Sequence, residues 1–395
     1  MSGQPRGYTD LDAPYNAGGN SAWLEKQESR SKRSKWIVIG SFLGLLGLIA
    51  IGVALGVTLS RKSSSSSKSS SSGAVNQTDP NDPSTFEKNP NLHQSFYGIA
   101  YTPEGSQYPA CGNSLDQVIT DIQLLSQLTT RIRLYGADCN QSALVLEAIK
   151  QTKVNMTVWL ANYNIPTDKT PYTRQKQAIQ EAIQTYGTDH IGGVTVGNEF
   201  MLNYLNANGA SDPNSAVGNQ GAALLKADID DTKQMLKDMN VNLQVGNAEA
   251  GSYFNTLVLE DVDYGMSNVH PWFANVSIDQ AADWTWEFFD EQNVEPAKAL
   301  SNSPKMYIAE TGWPSNSSDA GNESNGPSTA STANLQTFLD TFVCQANQNG
   351  TGYFYFEYFD EIWKDQQFGG VEGWWGLFYA NRTLKPLTIP DCQSP

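Results

Sequence analysis

From Ser95 to Glu361 the chain alternates between short strand-like runs and longer stretches with apolar residues at helical spacing. The strand-like runs are SFYGIAYTP (95–103), TRIRLYG (130–136), NMTVWLAN (155–162), IGGVTVGNE (191–199), LQVGNAE (243–249), YGMSNVHPWF (264–273), KMYIAETGW (305–313) and GYFYFEYFDE (352–361). Between them SLDQVITDIQLLSQL, SALVLEAIKQT, RQKQAIQEAIQTYG, AALLKADIDDTKQMLKDM and ANLQTFLDTFVCQANQ read as helices. Eight strands, most of them followed by a helix, call for crossover connections and therefore parallel pairing. The pattern predicts a (β/α)8 TIM barrel over residues 95–395. An open doubly wound sheet is the alternative, but no Gly-rich phosphate loop follows the first strand.

The sequence before the barrel is of another kind. Residues 1–35 are polar and read as a disordered tail. From Trp36 to Leu59 the chain reads WIVIGSFLGLLGLIAIGVALGVTL, 24 residues without a charge. That exceeds the roughly 20 needed to cross a bilayer and the ~7–15 of a signal-peptide core. Lys26, Arg30, Lys32, Arg33 and Lys35 precede it, against Arg61, Lys62 and Lys68 after it. The excess places the N-terminus in the cytoplasm and the remainder outside, a single-pass type II arrangement at the plasma membrane. Residues 60–94, with SSSSSKSSSS at their centre, read as a flexible linker, with order beginning near Ser95. Four cysteines, all beyond the apolar run, fit an oxidising compartment. Three pairings are open; Cys111–Cys139 and Cys344–Cys392 are expected because each joins nearby segments. Sequons at Asn76, Asn140, Asn155, Asn275, Asn316, Asn322, Asn349 and Asn381 fit the same compartment. The first 62 residues carry eight Lys/Arg against four Asp/Glu, so the rest carries −20 of the total −16. Such a surface repels phosphate and argues against a nucleic-acid partner. Nor does any motif imply a metal or cofactor.

Active sites of such barrels lie at the C-terminal ends of the strands. Two glutamates stand there, Glu199 closing IGGVTVGNE and Glu310 closing MYIAE. They are 111 residues apart. Sharing residues 96–395 among eight units gives about 37 residues each, so the pair is three strands apart around the mouth. Two carboxyls converging on one pocket is what glycoside hydrolysis needs: one protonated to release the leaving oxygen, the other ionised to attack or to activate water.

VGNE (196–199) and ETGWP (310–314), in this order and spacing, resemble family 17 of the glycoside hydrolases. The resemblance runs from YGIAYTP to RTLKP. It implies a (β/α)8 barrel, Glu199 as proton donor, Glu310 as nucleophile, retention at the anomeric carbon, and β-1,3-glucan as substrate. A retaining pair is expected at about 5–5.5 Å, against roughly 6.5–9.5 Å for an inverting one. The N-terminal apolar segment and Ser-rich stem look like fungal cell-wall endo-1,3-β-glucanases of that family, some of which also transfer glucan. Two further readings stay open: a glucan transglycosylase, and a membrane-tethered wall-binding protein that lost catalysis.

The resemblance also implies that Asn198 holds the 2-hydroxyl of the cleaved sugar; otherwise it forms a turn. Arg133 and Tyr135 end RIRLYG, and Arg133 either steadies a catalytic carboxylate or makes an ordinary ion pair. Tyr101 either borders the site or is a core tyrosine. His270, near the end of strand six, is taken as a substrate-binding residue, and Trp313 as a wall for a sugar ring. Glu249 and Glu357 are at most polar contacts to sugar hydroxyls. Trp374 and Trp375 either stack on sugar or pack the last loop.

Overall fold

The computed structural model describes residues 75–395. The expected tail, apolar span and first part of the linker lie outside the described residues. Among the described residues no helix is long and apolar enough to cross a membrane.

Eight parallel strands close into a barrel: β1 (Gly98–Ala100), β2 (Arg131–Arg133), β3 (Thr157–Asn162), β4 (Ile191–Asn198), β5 (Val245–Ala250), β6 (Tyr264–Asn268), β7 (Lys305–Thr311) and β8 (Tyr353–Tyr355). Each pairs with its neighbours in sequence, and β8 closes on β1. The principal outer helices are α1 (Leu115–Leu125), α2 (Gln141–Thr152), α3 (Thr170–Tyr186), α4 (Phe200–Ala207), α5 (Ala216–Asp238), α6 (Thr256–Leu259), α7 (Ala281–Phe289), α8 (Thr332–Gln348) and α9 (Ile362–Phe368). Serine caps start three of them: Ser114, Ser215 and Ser331 accept the backbone N–H of Gln117, Gly218 and Asn334. Each satisfies an N–H that the helix leaves without a partner.

The core has two layers. Ile99, Ile132, Leu160, Val194 and Ile308 pack outward with the apolar faces of the helices. Inside the barrel lie Trp159, Ala248, Tyr264, Met266, Tyr307, Ala309 and Phe354. These aromatics fit because glycines stand beside them. A Cβ on Gly192 would meet the Trp159 ring at 2.6 Å, and one on Gly246 would meet the Tyr264 ring at 2.2 Å. The glycines in IGG and VGN therefore make room for aromatic filling, at some conformational cost.

Several boundaries differ from expectation. The first and last strands are three residues each, much shorter than the apolar runs that contain them. Beyond Tyr355 the pairing is divided: Phe356 and Tyr358 N–H still donate to the Thr311 and Ala100 carbonyls, whereas Glu357 N–H donates to the Trp375 carbonyl and Phe378 N–H to that of Tyr358. The returning C-terminal segment thus adds a further partner beside the barrel neighbours. Order begins before Ser95. A bridge joins Gln77 and Phe86, Gln123 on α1 donates to the Pro83 carbonyl at 2.8 Å, and Asn89 N–H donates to Gln127 at 2.7 Å. The end of the expected linker is thus bound along α1. Both disulfides form as expected, Cys111–Cys139 and Cys344–Cys392, with Cα–Cα separations of 4.9 and 5.9 Å.

Candidate active site

Both strands that carry the glutamates gain a residue just before them. Thr195 pairs with Gly246 but Asn198 with Ala248, so β4 advances three residues while β5 advances two. Likewise Ser267 pairs with Ile308 and Asn268 with Glu310, so β7 advances two while β6 advances one. Tyr307 and Ala309 face the barrel interior, whereas Ile308 packs outward. Strict alternation would send Glu310 outward with Ile308. The bulge re-aims it into the mouth. In β4 the extra residue includes Gly197 at φ 89°, where a Cβ would lie 3.0 Å from the Asn247 amide nitrogen. Glu199 follows in the left-handed region, φ 56° and ψ 32°, and leads directly into α4. That conformation is uncommon for a residue with a Cβ and fixes the direction of the carboxyl.

Glu310 is 7% exposed and held on both oxygens. Arg133 Nη1 donates to Oε1 at 3.2 Å, and His270 Nε2 lies 3.1 Å from Oε2. Arg133 is itself buried; its Nη1 also donates to the Ala309 carbonyl and its Nη2 to Asn198 Oδ1 at 3.0 Å. One guanidinium therefore ties β2, β4 and β7 together across the barrel. Burial works to raise the pKa of Glu310, but the His270 hydrogen bond, Arg133 and the charge of Lys364 outweigh it and hold the carboxyl below its ordinary range. With Asn198 Oδ1 engaged by Arg133, its Nδ2 donors remain for a ligand.

Glu199 is half-buried and meets the opposite environment. Asn268, the register partner of Glu310, donates from Nδ2 to Glu199 Oε1 at 3.0 Å. Burial, then the negative charge of Glu310, push its carboxyl up to about 7, against the lowering effects of Asn268 and His270. At neutral pH the mouth thus pairs a carboxylate with a carboxyl that holds its proton far more tightly than an ordinary glutamate does.

The other expected residues divide. Tyr135 lies against Arg133, with the guanidinium carbon 4.4 Å from its ring centre. Its buried hydroxyl has no hydrogen-bond partner among the described residues, and burial together with Glu310 raises its pKa well above the usual value. His270 is packed by Phe273, Phe356 and Trp375, which orients its ring toward Glu310. Trp374 is half-buried, with an indole N–H that finds no partner among the described residues, and Trp375 is a buried support for His270.

Four residues do other work. Tyr101 turns away from the mouth and donates to Asp121 Oδ2 on α1 at 2.8 Å, where Arg382 neutralises the aspartate. Trp313 is fully buried, donates from Nε1 to the Thr329 carbonyl and packs on Phe338 of α8, so it is no wall for a sugar. Glu249 is buried and accepts the N–H of Met201, capping the first turn of α4 just after Glu199. Glu357 is buried in an ion pair with Lys364 at 2.6 Å, not presented to solvent. In each case the strand-end position was legible but the facing of the side chain was not.

Three residues of the site escape sequence reasoning. Asn268 carried the same strand-end signal as its neighbour His270. Tyr163, one residue past β3, is 41% exposed, and its pKa is raised by burial and by both Glu199 and Glu310. Its backbone is clamped by buried Gln175, which accepts from the N–H and donates to the carbonyl. Lys364 gave no local signal; it stands 4.5 Å over the Phe356 ring, and its charge acts on Glu310.

Comparisons with known proteins bear on the family and the fold. The BtgE/BtgC glycoside hydrolase domain matches residues 98–376. A putative glucan endo-1,3-beta-glucosidase btgC of Aspergillus niger is 40% identical over 320 residues, 77% of this chain and 45% of that protein. A probable glucan endo-1,3-beta-glucosidase btgC of Aspergillus flavus is 35% identical over 405 residues, 96% of this chain and 57% of that protein. The chain spans about half the length of the curated relatives it matches. Among solved structures, a glycoside hydrolase family 17 beta-1,3-glucanosyltransferase from Rhizomucor miehei is 26% identical with a TM-score of 0.59, covering 75% of this chain and 97% of its own. An active-site mutant of the Rhizomucor miehei beta-1,3-glucanosyltransferase, in complex with laminaritriose, is 25% identical with a TM-score of 0.60, covering 75% and 98%. The barrel, its paired glutamates and these matches lead to one assignment: the chain belongs to the BtgE/BtgC glycoside hydrolase family.

Proposed function

We propose that the barrel cleaves internal bonds of β-1,3-glucan with retention of configuration, with Glu199 as acid and then base and Glu310 as nucleophile. The observation that carries this is the split between two carboxyls facing one mouth, one raised to about 7 and the other depressed. The glucosyl unit to be attacked lies with its anomeric carbon against Glu310 and its glycosidic oxygen against Glu199. A Glu310 oxygen attacks the anomeric carbon as Glu199 protonates the departing oxygen, leaving a glycosyl ester on Glu310. Glu199, now ionised, takes a proton from water; the oxygen of that water attacks the anomeric carbon and releases Glu310. Arg133 and His270 hold Glu310 ionised before attack and stabilise it as it leaves. Asn198, its Oδ1 engaged by Arg133, donates from Nδ2 to the sugar 2-hydroxyl.

The test is a pair of variants. Glu310→Ala forms no ester, so turnover should collapse on every substrate. Glu199→Ala should lose laminarin cleavage yet still release an activated aryl leaving group, and added azide should then yield the β-glycosyl azide. Wild-type rates on laminarin in both variants would sink the two-carboxylate reading and favour a wall-binding protein. A second reading, transfer of the glycosyl unit to another glucan, is favoured by the similarity to a glucanosyltransferase. Products longer than the input laminari-oligosaccharide would establish it. We place the barrel outside the plasma membrane, tethered through Trp36–Leu59, a reading supported by two disulfides. Protease added to wall-stripped cells should then remove a C-terminal epitope and spare an N-terminal one.

A further inference from the structure

We propose that the hollow between the loops after β1 and β8 is a glycone-side subsite, with Trp363 as the platform for a glucosyl unit upstream of the cleaved bond. The inference rests on Glu199 as acid and Glu310 as nucleophile. The hollow encloses ≈ 240 Å³ and is lined among others by Thr102, Gln107, Phe359, Glu361 and Trp363.

Its place on the ring sets which part of the glucan reaches it. The leaving oxygen faces Glu199 on β4, so the departing half of the chain lies on that side. The retained half continues past Glu310 on β7 and away from β4. The next strands in that direction are β8 and then β1, and β8 stands opposite β4 in an eight-strand ring. The hollow lies between the loops of those two strands. It also adjoins the catalytic mouth: Lys364, 3.4 Å from Glu361, stands 4.5 Å over the Phe356 ring, which packs on the His270 that holds Glu310.

The lining suits a neutral polyol with one apolar face. Trp363 lies on α9, a helix that buries none of its residues and exposes Ile362 and Phe368. Core packing therefore does not account for an indole there. Its Nε1 donates to Glu361 Oε2 at 2.7 Å and its edge meets Phe368, which holds the ring in one orientation. A ring fixed before binding loses little freedom when a sugar stacks on it. Hydroxyl and amide groups of Thr102 and Gln107 supply donors and acceptors for sugar hydroxyls. The acids nearby are engaged by cations: Lys364 lies 3.4 Å from Glu361 and 2.6 Å from Glu357, Lys385 lies 2.7 Å from Asp360, and Arg382 is shared by Glu104 and Asp121.

The experiment measures cleavage of laminari-oligosaccharides of increasing length, labelled at the reducing end, by wild type, Trp363→Ala and Trp363→Phe. Loss of a stacking platform should lower kcat/KM on the longer oligosaccharides by about tenfold, while the shortest one cleaved changes little. Cleavage should also move toward the non-reducing end, giving longer labelled fragments. Trp363→Phe keeps a ring and should recover most of the loss. The same fractional loss at every length, or labelled fragments that become shorter, would overturn the subsite. A wild type that cleaves none of them would overturn instead the glucanase reading beneath it.

Discussion

Replacing Glu199 by Gln should abolish glucan cleavage and, above neutral pH, stabilise the fold. The amide is isosteric, and its oxygen can still accept the Asn268 Nδ2 hydrogen bond seen at 3.0 Å. What it loses is the cost of ionising. Glu199 is raised from 4.5 to about 7, largely by burial and by Glu310. In that window the folded protein binds more protons here than the unfolded chain, so stability falls as pH rises through it. The penalty is absent below about pH 4.5 and complete above about pH 7. At 1.36 kcal/mol per pH unit it comes to about 3 kcal/mol. Wild type and Glu199→Gln should therefore be equally stable near pH 4, and the variant should lead by up to about 3 kcal/mol near pH 8. Urea unfolding followed by tryptophan fluorescence at several pH values measures the difference. A gap of the same size at pH 4 and pH 8, or a wild type more stable at pH 8, would refute the claim that this carboxyl is forced toward its neutral form.

Wild-type turnover should fall as pH rises through about 7, because the proton donor is lost, and Asn268→Ala should move that limb upward by removing the hydrogen bond that favours the ionised form; a pH–rate profile of kcat/KM checks both. Arg133→Met should raise the acid limb, since Glu310 then loses a cation that keeps it ionised, and should lower kcat by about 100-fold or more through misplacement of Glu310 and Asn198. Trp313→Ala should cost about 3–5 kcal/mol of stability with KM for laminarin unchanged, measured by unfolding and steady-state kinetics; a raised KM at unchanged stability would restore it as a sugar wall.

Local pattern carried much of this protein. Eight strand-like runs separated by helical ones can be buried only if the strands close side by side, and the glutamates ending two of them already stood where barrels keep their chemistry. Cys111–Cys139 and Cys344–Cys392 were legible because each joins segments close in the chain order. The facing of single side chains was decided elsewhere. Strict alternation would turn Glu310 outward; a bulge set by pairing with β6 and β8 turns it in. Tyr101 and Trp313 stand beside the right strand ends but point at α1 and α8, because distant helices supply Asp121 and Phe338 as partners. Arg133 can steady Glu310 and Asn198 together only because closure of the barrel brings residues 65 and 177 positions away into one guanidinium's reach. Residue types and spacing determined that two carboxyls would meet at the mouth of a barrel. Which of them keeps its proton depended on the folded surroundings, since burial, the charge of Arg133 and the hydrogen bonds of Asn268 and His270 arise from chain segments that meet only in the tertiary structure.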